Sequence, residues 1–588
     1  MDSKHVTEST SGQKDIQKTW WKEAIIYQIY PRSFQDSDGD GIGDLNGITS
    51  RLDYIQSLGV DIIWLNPIFL SPNDDNGYDI SDYREIMREF GTMEDFDRLL
   101  KEIHKRGMRL VLDLVVNHTS DEHPWFEEAR KSRHNPYYNY YHWWPAEKGE
   151  PPLRLSYFDE EGNAWMYNKS TDSYYLHYFS RKQPDLNWEN PEVRQEIFDM
   201  MRFWFDKGID GFRMDSISLI AKDPSFPLID SKKYPDIFSF YAKEPRLHLY
   251  LHEMNRQVLS KYDCMSVGEG SAVMVDDVAK FVDPAREELN MLYHFDAARI
   301  RNTTLPDNPE SGIDYSLIAL KKMFTEWDKA VDKGWPSIYL GNHDQPRMVS
   351  RFGSDKDEFR ALSAKMLITF LLTMRGTPYW FAGDEIGMRN IRFDRIEDYN
   401  DIDTINRYKK AKAEGKDPQA VLDEQKETGR DNARTPFQWD RSPEAGFTAG
   451  TPWLKVNPDY TWINVADEEK DPTSILNYFK KVVSFRKENP SLIYSSYHLL
   501  DAENPQCYIF LRKTGADTYL IMLNFSPKAA ISTPGIDMSN AHVLLDNYGD
   551  RSHMAPQKDI TLRPFEAIVF QLNHPVYESF IDSLDLLE

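Results

Sequence analysis

The sequence predicts an α/β fold: a (β/α)8 barrel of the TIM type, with an inserted loop-rich domain after its third strand and a C-terminal antiparallel β-sandwich domain. Three observations predict it. Eight short apolar runs recur along the chain, amphipathic stretches separate them, and near residue 496 the pattern changes to alternating strands without helices.

The eight runs are AIIYQIYP (24–31), VDIIWLNPI (60–68), RLVLDLVVNH (109–118), GIDGFRMD (208–215), CMSVGE (264–269), LNMLYHFD (289–296), SIYLGNHD (337–344) and GTPYWFAGDE (376–385). Each is nearly continuously apolar, as a strand buried on both faces must be. Between them lie helical patterns such as MEDFDRLLKEIHKRG and PEVRQEIFDMMRFWFDKG, each closed by a glycine that can take the left-handed conformation of a helix end. The barrel is assigned to 1–118 and 191–495. Two intervals are too long for simple connections: 119–190, rich in Tyr, Trp, Pro and His, is read as an inserted domain, and 386–474 as an extended segment after the eighth strand. Both are expected to overhang the mouth formed by the C-terminal ends of the strands. CYIFLRKTG, DTYLIMLNFS, AHVLLD and DITLRPFEAIVFQL then define a β domain over 496–588.

Composition narrows the function. The chain of 588 residues holds 70 Lys and Arg against 95 Asp and Glu, a formal charge of −25, which opposes binding to nucleic acid or to anionic membrane surfaces. Its 15 Trp, 32 Tyr and 31 Phe argue against disorder and suit a sugar ligand, because flat rings stack on the apolar faces of pyranoses. Cys264 and Cys507 are the only cysteines, so a disulfide framework is not expected and neither CxxC nor a cysteine zinc spacing can be built. The first eighteen residues are polar and no window approaches the ~20 apolar residues of a membrane span. The chain as given reads as cytoplasmic, or periplasmic or secreted where a leader precedes this numbering; a monomer is expected, with an oligomer left open.

Chemistry concentrates at strand ends: Asn117 and His118, Arg213 and Asp215, Glu269, His343 and Asp344. A single Asp closing a strand is often only a helix cap, and a single buried His usually has a structural role. Here the repeated placement points to one pocket, since active sites on this fold form where the βα loops leave the strands. Two carboxylates flanking a glycosidic bond can divide nucleophilic attack and proton donation between them, and a third can grip sugar hydroxyls as an oxocarbenium ion forms. Arg213, two residues before Asp215, can keep that carboxylate ionised. DSDGDGIGD (36–44) alternates Asp36, Asp38 and Asp40 with glycines, a pattern for wrapping oxygen ligands around a hard cation, with Asp44 and the backbone of Ile42 completing it. Calcium, or else magnesium, is expected in a structural role, and no organic cofactor.

DLVVNH, QPDLNW, GFRMD, VGE and GNHD, in this order, resemble the α-amylase family, glycoside hydrolase family 13, over nearly the whole chain. WWKEAIIYQIYPRSF, QPDLNW and RDNARTPFQW resemble its oligo-1,6-glucosidase subfamily, which includes isomaltases, maltases, trehalose-6-phosphate hydrolases and sucrose isomerases. The resemblance implies that Asp215 is the nucleophile, Glu269 the acid/base and Asp344 the transition-state stabiliser. It implies further that Tyr78, Asp79, His118, Gln183, Arg213, His343 and Arg430 surround the nonreducing-end glucose, and that Asp36, Asp38, Asp40, Ile42 and Asp44 form the metal loop. After the nucleophile the subfamily carries Val in enzymes preferring α-1,6 bonds and Thr or Ala where α-1,4 bonds are accepted; here Ser216 leaves linkage open. Sucrose isomerases carry an RLDRD-type loop where this chain reads Arg299, Ile300, Arg301, Asn302 and Thr303, so that signature is broken. The expected activity is a retaining exo-α-glucosidase acting on isomaltose and isomaltooligosaccharides, with some α-1,4 activity. The alternatives are a sucrose isomerase or hydrolase, a trehalose-6-phosphate hydrolase-like enzyme, or an inactive sugar-binding barrel.

Overall fold

A computed structural model describes residues 18–158, 162–234, 237–296, 317–515, 517–536, 538, 541–551 and 559–572. All eight apolar runs contain strands: β1 Ile26–Ile29, β2 Ile62–Leu65, β3 Arg109–Val115, β4 Gly211–Asp215, β5 Met265–Gly270, β6 Met291–His294, β7 Ser337–Ile338 and β8 Thr377–Phe381. They pair in parallel in the order β6-β5-β4-β3-β2-β1-β8-β7. This is a nearly closed barrel whose seam lies between β6 and β7. There side chains take over from the backbone ladder: Ser337 Oγ donates to the Leu292 carbonyl at 2.9 Å and the Tyr339 hydroxyl to the His294 carbonyl at 2.5 Å. The seam explains why β7 spans two residues where the sequence predicts a full strand.

The twofold alternation of a strand sorts the apolar residues into two layers. Ile26, Ile62, Trp64, Val111, Met265, Val267, Met291 and Tyr293 fill the barrel lumen, while Tyr27, Ile63, Leu65, Leu112 and Leu114 pack beneath the outer helices. The predicted helices form where their caps dictate. Thr92 and Asp95 make a reciprocal capping box on Met93–Lys105, and Asn190 caps Pro191–Lys207, which ends at Gly208 with φ +108°.

The interval after β3 carries a three-stranded antiparallel sheet of Trp143–Pro145, Ser173–Leu176 and Trp165–Asn168. The C-terminal region is an antiparallel five-stranded sheet, Ser496–Leu500, Cys507–Lys513, Thr518–Asn524, Ala567–Leu572 and His542–Asp546, with a two-stranded ribbon of Ala530–Ser532 and Ile560–Leu562. Ile509, Leu511, Leu520 and Phe570 pack against the ribbon's Ala530, Ile560 and Leu562. The opposite face lies on the barrel, where Phe370 and Tyr508 sit 5.1 Å apart. Among the described residues no helix is long and apolar enough to cross a membrane.

Candidate active site

A cavity of about 280 Å³ opens at the C-terminal ends of the strands. Strand register explains which side chains reach it. Asp113 on β3 pairs with Arg213 on β4, Arg213 with Val267 on β5, and Glu269 with Tyr293 on β6, so with a period of two Asp113, Arg213, Asp215, Glu269 and Tyr293 all point into the lumen.

Arg213, buried at 1 % exposure, organises this layer. Its Nη1 donates to Asp113 Oδ1 and Asp215 Oδ1, each at 2.7 Å, its Nη2 lies 3.1 Å from Glu269 Oε1, and its Nε donates to the Tyr293 hydroxyl at 2.7 Å. Three carboxylates thus meet one guanidinium, and in a dry site all three cannot remain charged at little cost. Burial pushes Glu269 up to about 8 against the pull of Arg213, with the Asp215 and Asp344 charges adding to the rise. Asp215, also raised by burial but held down by Arg213 and by a hydrogen bond with Glu269, reaches only about 6. At neutral pH the proton therefore resides on Glu269 and Asp215 is ionised. Arg213 gathers both carboxyls on one guanidinium, Asp215 at 2.7 Å and Glu269 at 3.1 Å.

The chain around this pair is shaped for close approach. Ser216 takes a left-handed conformation (φ 44°, ψ 30°), costly for a residue with a Cβ, and this turn aims its N–H at Glu269 Oε2, 2.6 Å away. A Cβ at Gly268 would lie 2.7 Å from Leu289 and 2.9 Å from Ile217, so the residue preceding Glu269 has no space for a side chain.

Asp344 enters from the loop after β7. Burial works to raise its carboxyl, but His343, Arg430 and Arg434 outweigh it and carry it below the ordinary carboxylate range. Arg434 Nη2 reaches Asp344 Oδ1 at 2.9 Å and Arg430 Nη1 at 3.2 Å. Burial lowers His343 to about 3, so the ring is neutral. Gln28 Nε2 lies 2.8 Å from Nδ1 and, having only hydrogens to give, donates; Nε2 then carries the proton and faces the Tyr78 hydroxyl at 2.7 Å and Asp344 Oδ2 at 3.0 Å. Tyr78 in turn donates to Asp113 Oδ2 at 2.9 Å, linking the Asp344 loop to the Arg213 layer.

Of the residues expected around the sugar, Tyr78, His118, Ser216 and Arg430 line the cavity with the three carboxylates. Arg213 and His343 lie directly behind the lining. Gln183 stands behind it too, donating to Asp75 Oδ2 at 3.2 Å. Asp79, expected at the sugar, does not reach the cavity: fully buried, it accepts from the backbone N–H groups of Asp74 and Asp75 and from Ser71 Oγ, so it holds the turn. The residue that this turn presents to the cavity is Asp75, pushed up to about 7 by burial against the pull of Arg430. Sequence reasoning also missed an aromatic wall of Tyr157, Phe158, Phe179, Phe238 and Phe295. Tyr157 stacks on Phe238 with ring centres 4.1 Å apart and on Phe179 at 5.1 Å. The Tyr, Trp and Phe richness of 119–190 was the available signal.

A sequence model described as the α-amylase catalytic domain matches residues 28–495. The chain belongs to the α-amylase family. It is a glycoside hydrolase. It is 51 % identical over 571 residues to an oligo-1,6-glucosidase of Parageobacillus thermoglucosidasius, covering 95 % of this chain and 100 % of the relative. A Bacillus cereus oligo-1,6-glucosidase is 49 % identical over 95 % of this chain and 100 % of its own. The solved trehalulose synthase MutB from Pseudomonas mesoacidophila MX-45 superposes with a TM-score of 0.90 at 43 % identity, covering 95 % of this chain and 100 % of MutB. Variants of MutB have been solved with sucrose and with isomaltulose.

The segment Arg299 to Thr303, where this family member departs from the isomerase signature, lies outside the described residues. The acidic loop after β1 brings ligand oxygens of Asp36, Asp38 and Asp40 within 4.8 Å of one another, with Asp38 and Asp40 exposed. Asp44 is not in that group: its carboxylate caps the helix Leu45–Ser50 through the Gly47 N–H and accepts from the Ser37 N–H and hydroxyl. The Ile42 N–H donates to Asp40 Oδ1 at 2.7 Å. Three carboxylates this close, with only oxygen donors, fit a hard cation.

Proposed function

We propose that this glycoside hydrolase is a retaining exo-α-glucosidase that releases glucose from the nonreducing end of short α-1,6-glucosides such as isomaltose. The observation that carries the proposal is that Asp215 and Glu269 meet on one guanidinium, Arg213, at 2.7 and 3.1 Å, with burial raising Glu269 further than Asp215. The ionised Asp215 attacks the anomeric carbon while Glu269 gives its proton to the glycosidic oxygen; the C–O bond breaks and a glucosyl ester forms on Asp215. Glu269, now a carboxylate, takes a proton from water as that water attacks the ester, which restores both groups. Asp344 accepts from the sugar hydroxyls, with its charge fixed by Arg430 and Arg434. Asp75 and Arg430, which line the cavity 3.4 Å apart, are available to the hydroxyls of the nonreducing-end glucose. Preference for α-1,6 bonds is supported by the oligo-1,6-glucosidase relatives, and the Ser216 hydroxyl leaves room for some α-1,4 cleavage. The loop at 36–44 would hold calcium, or magnesium, through Asp36, Asp38 and Asp40; the ion would neutralise their mutual repulsion, away from the reacting atoms.

A second reading, sucrose isomerisation, is favoured by the likeness to trehalulose synthase. Both readings share the first half-reaction and differ in whether water or retained fructose intercepts the ester. Chromatographic product analysis after separate incubations with isomaltose, maltose, trehalose and sucrose tests them. Glucose released fastest from isomaltose is the expected result. Isomaltulose or trehalulose from sucrose would replace it with the isomerase reading.

A further inference from the structure

Arg430 lines the cavity, but its closest partner does not. Asp401, immediately before the helix Ile402–Ala413, is fully buried and absent from the cavity wall. Asp401 Oδ1 receives Arg430 Nε at 2.7 Å and Nη2 at 2.5 Å, whereas Arg430 approaches Asp344 only to 3.2 Å and Asp75 to 3.4 Å. Arg434 Nη1 lies 3.9 Å from the same oxygen. The other oxygen, Asp401 Oδ2, caps the helix, accepting the Thr404 N–H at 3.1 Å and hydroxyl at 2.7 Å. Asp431 fixes the backbone beneath, taking the Asp401 N–H at 2.9 Å. The Arg430 guanidinium also sits 4.9 Å from the Phe158 ring centre. The carboxylate with the shortest contacts is thus the one that no substrate can touch, and its own position is locked by a helix end.

We propose that Asp401 is a positioning residue, a fixed counter-charge that holds Arg430 by its rear edge so that its front edge spans Asp344 and Asp75 without collapsing onto either. This inference rests on the proposed glucosidase reading and deepens it. In a dry site a guanidinium lacking its closest partner closes on the next carboxylates available. Sugar hydroxyls would then have to break those ion pairs on entry, and apparent affinity for the nonreducing-end glucose would fall.

Asp401→Asn separates charge from structure, because Asn caps a helix as well as Asp does. The expected result is a KM for isomaltose and an inhibition constant for glucose raised on the order of 10-fold or more, with kcat changed by less than about 3-fold. Asp401→Glu should restore most of the loss. Thr404→Ala, which weakens the cap and keeps the charge, should lower the melting temperature and leave KM near wild type. Unchanged KM and glucose inhibition in Asp401→Asn, or a fall in kcat alone, would overturn the proposal. Should Asp401→Asn not accumulate folded, Asp401→Ser, an uncharged capping residue, is read on the same scale. Glucose binding by calorimetry, which needs no turnover, keeps a failure of this inference distinct from a failure of the activity assignment.

Discussion

The two reacting carboxylates predict a pH profile whose limbs can be assigned. Glu269 must be protonated to donate, so kcat/KM for isomaltose falls as pH rises through about 8; Asp215 must be ionised to attack, so it falls as pH drops through about 6. The optimum lies midway, near 7, where about 0.8 of the enzyme is competent, against roughly 0.1 at pH 5 and at pH 9. These limbs belong to the pair as a unit, since both groups share Arg213. Glu269→Gln supplies the decisive comparison. It should lower kcat/KM for isomaltose by ~10²–10⁴, the usual contribution of general acid catalysis. An aryl α-glucoside with an acidic phenol leaves with little protonation, so the variant should retain its first half-reaction on that substrate and show a burst of phenol. On that substrate the alkaline limb should vanish while the acid limb persists. A limb near 8 that survives in Glu269→Gln would place that titration on another group and refute the assignment of the acid.

Two further outcomes are expected. Asp215→Asn should lower turnover by several orders of magnitude with an unaltered far-UV spectrum, because Arg213 keeps Asp113 and Glu269 as partners; turnover close to wild type would remove Asp215 as the nucleophile. Chelation should lower the melting temperature without changing the initial rate on isomaltose at 25 °C, since Asp36 accepts from the Thr448 hydroxyl and the Trp453 N–H donates to the Gly41 carbonyl at 3.0 Å, fastening the segment after β8 to the barrel. An ion present at 100 times its dissociation constant contributes about 2.7 kcal/mol, and superimposable melting curves with and without chelator would refute a removable ion.

The barrel was legible because its strands are buried on both faces and therefore read as apolar runs, and the reacting carboxylates were legible because strand ends carry them to one mouth. Loops have no such period. In DDNGYD, Asp75 and Asp79 are equivalent as text; only the fold shows Asp79 spending its oxygens on the backbone of the turn that presents Asp75. The aromatic wall was visible as composition but not as position, since Phe179 and Phe238 come from segments that follow different strands. β7 was overread because a seam strand has a backbone partner on one side only, which an apolar pattern cannot register.

Asp401 marks where sequence reasoning stops for a further physical reason. In DIDTINRY, Asp401 Oδ2 caps the helix that begins at Ile402. Nothing in the local pattern records that the second oxygen of the same carboxylate faces Arg430, 29 residues away. A motif with a sufficient local explanation hides a second role, and only the three-dimensional charge balance among Asp75, Asp344, Asp401, Arg430 and Arg434 brings it out. Withdrawing the Asp401 charge removes the closest partner of Arg430 and leaves it facing Asp344 at 3.2 Å and Asp75 at 3.4 Å. Arg430 would then move toward Asp344, the group meant to meet the sugar.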